Sequence, residues 1–464
     1  MAAYVLLALT LLLCAPAQAA APKPTPPASA RFAVEIEKTD YVPCQGQACN
    51  EFPDGFAPGV GAGLAPLADK TGGGKLFITV SGRGPSAEGP RFLDKNDRLA
   101  GAGRFFPAPA FSPCLAVLEI GETGAKLART IPLQYEKGGL SGRPIPLGQT
   151  GTTAETLLAE DLTVLPRDPG GLSPQAAAVG PDKTGVWIAD DYGPFLLRAD
   201  LETGRIAARL APGEGLPEIL TLRQDNKGFS GVTVTPSGRV VLSLRAALSA
   251  DGAPRQSKTA FIRLVEYDPA TGAARMFAYP IEPAVYRRAY DAQICGLAAV
   301  SETKFLLVEQ GKDKSGAQRN AVCLVDLAQA NDISDLKTQD GAPLELAGQK
   351  KDLETLGVKF PKRTEILDLR AADMKTGQAS GLTLLPDRQT LLVAQTGDYG
   401  LTSAVENPVT TETGQTINNP SFYTFDAKKR VWWNNTPAAT KFSLKNTGAA
   451  PAIWRITLGE PLEK

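Results

Sequence analysis

The 464-residue chain contains no histidine. Serine–histidine–aspartate hydrolysis, histidine phosphoenzymes, the HExxH metalloprotease helix and most catalytic zinc centres all need an imidazole, so each is excluded. Net charge is also lacking, since Lys plus Arg and Asp plus Glu each total 49. Without a global basic field the chain has nothing to gather nucleic acid or anionic lipid, and any binding must be local. There is no Walker A loop, and no nucleotide cofactor is expected. There is no GxSxG elbow either, because Gly139-Leu140-Ser141-Gly142 and Gly228-Phe229-Ser230-Gly231 lack its spacing. After the first residues no apolar run is long enough for a membrane span.

The N-terminus reads as an export signal over residues 1–19. Tyr4 to Cys14 is apolar but too short to cross a bilayer, and Ala17-Gln18-Ala19 supplies a small-x-small cleavage pattern. Residues 20–30 form an Ala/Pro-rich linker, which leaves residues 31–464 as one domain in a periplasmic or secreted protein. In such a compartment Cys44 can pair with Cys49 and Cys295 with Cys323, leaving Cys114 over. The scattered cysteines do not have zinc spacing.

What the chain has in quantity is turn residues, 46 Gly and 37 Pro, set between short apolar runs. Within Asp168 to Gly231, the run Val186 to Ala189 ends at Asp190 and Asp191, followed by Tyr192-Gly193-Pro194. The chain then returns through Phe195 to Ala199 and turns at Asp200 to Gly204 into Arg205 to Leu210, a hairpin within a four-stranded unit. Copies of its turn, strand and polar strand end recur at Leu67 to Pro85, Thr235 to Arg245, Ser301 to Gly311 and Leu385 to Gly400, with further hairpins at Tyr267 to Gly272 and Phe425 to Lys429. Small β units that cannot bury their own faces but can stack radially predict an all-β propeller, here of six or seven blades. Pairing of Phe32 to Glu37 with Ile453 to Leu458 would close the ring and remove its edges. Apolar spacing from Leu346 to Gly357 predicts a short helix in an excursion over 344–374, packed on the side of the ring rather than forming a lid.

From about Gly59 to Leu401 the order of motifs resembles the esterase-like phytase family of exported β-propellers. The matching pieces include Gly61 to Leu64, Ser81 to Pro85, Arg104 to Pro113, Gly139 to Pro144, Asp168 to Leu172, Ala189 to Pro194, Asn226 to Val232, Arg263 to Pro280, Phe305 to Gln310 and Gly381 to Asp398. The chain departs from the family pattern where acids are expected: Ser81, Gly170, Ser230 and Ser380 stand in those places. Gln310 replaces a basic residue, and Gln395 to Asp398 replaces an Asn-Asp-rich stretch. The family's calcium chemistry needs carboxylate oxygens, so these losses weaken an inherited site.

The resemblance implies Asp191, Arg83 and Lys227 as catalytic residues, with Arg83, Tyr192 and Lys227 on the substrate. It implies Asp168, Asp190, Asp191, Glu309 and Asp398 as calcium ligands at one channel mouth. Adjacent strand residues face opposite ways, so at most one of Asp190 and Asp191 points into the channel, and Glu309 is expected to face inward with a partner. Trp432 and Trp433 read as packing residues. Two functions follow: a metal-assisted hydrolase of a small phosphoester or carboxylic ester, weak for want of the acids, or a non-catalytic propeller that binds a ligand or protein partner at its mouth.

Overall fold

The computed structural model describes all residues except 1–26, 68–74, 95–98, 137, 181–182, 184, 376 and 464. The expected export signal, and most of the Asp-Lys-Thr-Gly sequences at Asp69 and Asp182 that precede the second strands of the first two blades, lie outside the described residues. The chain is an all-β propeller. Its blades begin with the strands Ala62–Pro66, Pro174–Val179, Phe229–Val234, Gln293–Ala299 and Gly381–Leu384, and these first strands pack neighbour on neighbour in a closed ring. Among the described residues the ring thus has five blades rather than six or seven, the first and fifth joined edge to edge in one eight-stranded sheet. The five sequence copies are the five second strands: Leu76–Val80, Gly185–Asp190, Val240–Leu244, Lys304–Lys312 and Thr390–Gln395. Counting them gives the blade number directly. The further hairpin at Phe425 to Lys429 adds no blade, and the remaining chain is spent on long connections.

The second blade shows how sequence makes the unit. Val186, Ile188 and Leu197 face one neighbour and Trp187, Ala189 and Leu196 the other, so both faces are buried and the strand reads as a continuous apolar run. The hairpin turns where Gly204 has φ 70° and donates to the Asp200 carbonyl at 3.0 Å. A Cβ there would lie 2.2 Å from the Pro132 carbonyl oxygen, so only glycine fits.

Closure follows the expected pairing. Ala28–Glu35 is the outer strand of the fifth blade, antiparallel to Ala452–Thr457 with Phe32 opposite Ile453, and Val34 also pairs with Ala125 of the first blade. The strand starts inside the expected linker, at Ala28. Backbone pairing on both of its edges, with Val34 buried, ties the two chain ends together.

The region 344–374 is only half the expected excursion. Leu344–Leu346 is a 3-10 turn and Lys350–Thr355 a helix, but Lys362–Asp368 is the outer strand of the fourth blade. Its face is largely polar because it is an outer strand, which hid the strand period. Glu345 anchors the helical part to the third blade through Arg263, at 2.7 and 3.0 Å, with both side chains almost fully buried. Cys295 and Cys323 are not paired. They sit on strands separated by a third, about 10 Å apart at ordinary strand spacing, too far for a disulfide. Cys44 and Cys49 are free thiols in this structure.

The long connections leave the ring at one end, where first strands begin and second strands stop. The described residues of 42–56, 81–113, 133–173 and 396–451 build a cap of small sheets there, in which Ala87–Gly89, Gly103–Phe105 and Thr156–Leu158 form one and Leu401–Glu406 pairs with Lys441–Asn446. Phe56, Phe105, Leu158, Tyr399, Tyr423 and Phe425 fill its core. The hairpin at Phe425 to Lys429 belongs to this cap rather than to a blade.

Candidate functional site

Between cap and ring lies a chamber of about 1320 Å³. Every blade contributes a residue at or near the end of its second strand: Ser81, Asp191 and Arg245 just past it, Gln395 as its last residue, and Gln310 two residues before its end. The cap adds Arg104, Glu88 and Asp398, and the first strands add Gln175, Ser230 and Cys295. Ser81, Ser230 and Ser380, three of the four positions where the resemblance implies an acid, all line this chamber together with Gln310 and Gln395. The substitutions therefore fall on one surface.

Asp191 and Arg245 are the charged pair of that surface, with Asp191 Oδ1 3.8 Å from Arg245 Nε. The same Oδ1 accepts the Gly228 N–H at 2.7 Å, and Arg245 reaches Gln175 Oε1 at 2.5 Å. Burial raises the Asp191 carboxyl above its ordinary range, while Arg245 pulls in the opposite direction. A carboxylate so raised is a better proton acceptor near neutrality.

Arg83 lines the chamber but its hydrogen bonds are already committed. It binds Glu155 through both terminal nitrogens, at 2.8 and 3.2 Å, and reaches Tyr192 Oη and Asn226 Oδ1. Arg104 Nε lies 3.7 Å from the same Glu155. Burial works to raise the Glu155 carboxyl, but the two guanidiniums prevail and hold it below its ordinary value. Two cations thus share one anion. Sequence reading missed Glu155, which sits in an unpatterned loop, and Arg245, which occupies the strand-end position in VVLSLR equivalent to Asp191 in its own blade.

The other expected site residues are elsewhere. Asp190 is fully buried and accepts the N–H groups of Ser173 and Tyr192 at 2.5 and 2.9 Å; burial pushes it up to about 7 against those donors. Asp168 caps a turn, accepting Ser141 Oγ at 2.5 Å and the Gly170 N–H at 2.8 Å. Tyr192 is buried, donating to the Gly142 carbonyl at 2.7 Å. Glu309 is partnered as expected but lies outside the chamber, accepting from Tyr279, Tyr286, Arg319 and Arg363 at 2.7–3.2 Å between blades. Strand alternation decides this, since Gln310 faces the chamber and its neighbour Glu309 cannot. Asp398 is exposed at the chamber wall, accepting Thr396 Oγ1 at 2.9 Å. Lys227 lines a separate cavity on the far side of its loop.

The expected calcium ligands do not converge. Among the described residues no three acids, histidines or cysteines are grouped to hold a metal. The serines at the acid positions spend their hydroxyls on protein: Ser230 on the Ile294 carbonyl at 2.6 Å, Ser380 on the carbonyls of Gly61 and Ala394 at 3.0 and 3.1 Å. A calcium ion needs six to eight oxygens, several of them charged, so this wall does not fit one.

Fold and site thus define a capped β-propeller with a polar chamber at the mouth of its ring. The model of the Phytase-like family, described as esterase-like activity of phytase, matches residues 122–396, and the chain belongs to that family. Among solved structures, the Pseudomonas aeruginosa periplasmic gluconolactonase is similar at 12% identity over 82% of this chain and 88% of that one, with a TM-score of 0.31. A β-propeller domain of Myceliophteria thermophila Swd1 matches at 9% identity over 72% and 80%, with a TM-score of 0.29. Kuenenia stuttgartiensis hydrazine synthase matches at 12% over 74% and 94%, with a TM-score of 0.34. No curated protein matches the chain.

Proposed function

We propose that this is an exported hydrolase of small anionic esters that works in the capped chamber with side-chain cations in place of a metal cage. The observation that carries the reading is the Asp191–Arg245 pair, a raised carboxylate beside a guanidinium on the one wall that all five blades share. Arg245 and Arg104 hold the anionic group. Asp191 takes a proton from water as the water oxygen attacks the ester centre, and the departing oxygen leaves with a proton returned by Asp191 or by solvent. Cation binding supplies less charge than a calcium ion would, so turnover is slow.

Release of nitrophenol from p-nitrophenyl phosphate and from mono-p-nitrophenyl succinate, a carboxylic ester that also carries an anionic group, tests the reading and separates phosphoester from carboxylic ester. Hydrolysis of one of them, lost in Asp191→Asn, supports it; hydrolysis unaffected by that change overturns it. A second reading, a non-catalytic binding propeller, is favoured by the serines at three acid positions. It predicts that anions raise the melting temperature while neither ester is cleaved.

A further inference from the structure

The lysine that the motif order singles out, Lys227, has left the chamber. Residues 224–227 run between two cavities, with Asn226 facing the chamber and Gln224, Asp225 and Lys227 facing an outer cavity of about 410 Å³. Two of the side chains that line the outer cavity each carry a buried polar atom that lacks any hydrogen-bond partner: Lys227 Nζ, a donor, and Gln224 Oε1, an acceptor. Gln224 is 8% exposed, and its amide nitrogen is fixed on the Ala247 carbonyl at 2.8 Å, so its oxygen is held in place rather than mobile. Lys227 Nζ sits 3.7 Å above the Tyr290 ring, which also carries Arg255 at 5.3 Å. The acid of the cavity, Asp225, is occupied by Arg223 at 3.3 Å and the Ala154 N–H at 2.8 Å. Lys227 and Arg255 therefore leave the cavity cationic.

A buried donor and a buried acceptor without partners are costly to keep, and their placement in one cavity points to a common ligand. We infer that the outer cavity is a second anion site, selective for a small oxyanion that carries a proton to give, such as hydrogenphosphate or a phosphate monoester monoanion. The anion's oxygens accept from Lys227 and Arg255, and its hydroxyl donates to Gln224. Tyr290 positions the ammonium by closing off its far side. The site stands independently of hydrolysis in the chamber.

Sulfate is the discriminating probe, because it matches phosphate in shape and has no proton at neutral pH. Calorimetric titration of the full chain at pH 7 should show phosphate binding about tenfold more tightly than sulfate, the worth of one hydrogen bond to an otherwise orphaned acceptor. In an Arg245→Met background, which disables the anion site proposed for the chamber, the phosphate event should persist; there Gln224→Leu should reduce it to the affinity of sulfate, and Lys227→Met should remove it. Gln224→Glu, which sets a carboxylate against the anion, guards against a variant that loses binding by misfolding: circular dichroism should be unchanged while phosphate no longer binds. Equal affinity for the two anions, no phosphate binding, or binding that survives Lys227→Met and vanishes in Arg245→Met would overturn the assignment.

Discussion

Replacing Glu155 by Gln removes the one anion shared by Arg83 and Arg104 without changing its shape. Arg83 and Glu155 side chains are 12% and 9% exposed, so the guanidinium left behind is largely shut off from water. Breaking a buried pair of this kind from one side costs about 3–5 kcal/mol. An unfolding entropy of about 2 cal/mol/K per residue amounts to roughly 0.9 kcal/mol/K for a chain this long, so a loss of about 4 kcal/mol lowers Tm by about 4–5 °C. The same change leaves two unopposed guanidiniums on the chamber wall, which should tighten anion binding. Adding phosphate at a hundredfold excess over its Kd should then restore about 2.7 kcal/mol to the variant. Scanning calorimetry at low salt, with and without phosphate, reads both effects. A variant that melts with the wild type, or one whose lost stability phosphate does not restore, would refute the view of Glu155 as the counter-charge of a cationic wall.

Other outcomes follow from the same geometry. Arg263→Met or Glu345→Leu alone should cost about 3–5 kcal/mol in urea unfolding, and the two together less than either, because the double variant leaves no buried charge uncompensated. The Lys227 amine, lowered to about 8 by burial and then by Arg245, binds fewer protons folded than unfolded between about 8 and 10.5. Stability should therefore rise with pH across that window, and the rise should disappear in Lys227→Met. Deleting residues 1–35 strips the outer strand from the fifth blade and bares the Ala452–Thr457 edge, so light scattering should report aggregation.

The blade unit was legible because a strand buried on both faces has to be a continuous apolar run ended by turn residues, and Val186 to Ala189 is one. Closure was legible from the strand-like runs at the two ends of the chain, which pair with Phe32 opposite Ile453. The Lys362–Asp368 strand was not, because an outer blade strand need not alternate apolar and polar residues. At the site, sequence order could place residues near strand ends but not choose their face. Asp191 reaches the chamber while Asp190, one residue earlier, is spent on backbone N–H groups, and Gln310 reaches it while Glu309 is spent on two tyrosines and two arginines. Glu155 was illegible, since its role comes only from two arginines 72 and 51 positions away that the cap folds onto it.

The pH–rate profile of ester hydrolysis by the wild-type chain and by Asp191→Asn tests the central claim most directly. The account predicts an acidic limb whose midpoint lies above the ordinary aspartate value, because burial raises Asp191. It also predicts a fall of about 10²–10⁴-fold in kcat/KM for the variant, the usual worth of a general base, with unchanged circular dichroism. A variant that hydrolyses the same ester at the wild-type rate would contradict the account, and so would one that keeps the same acidic limb.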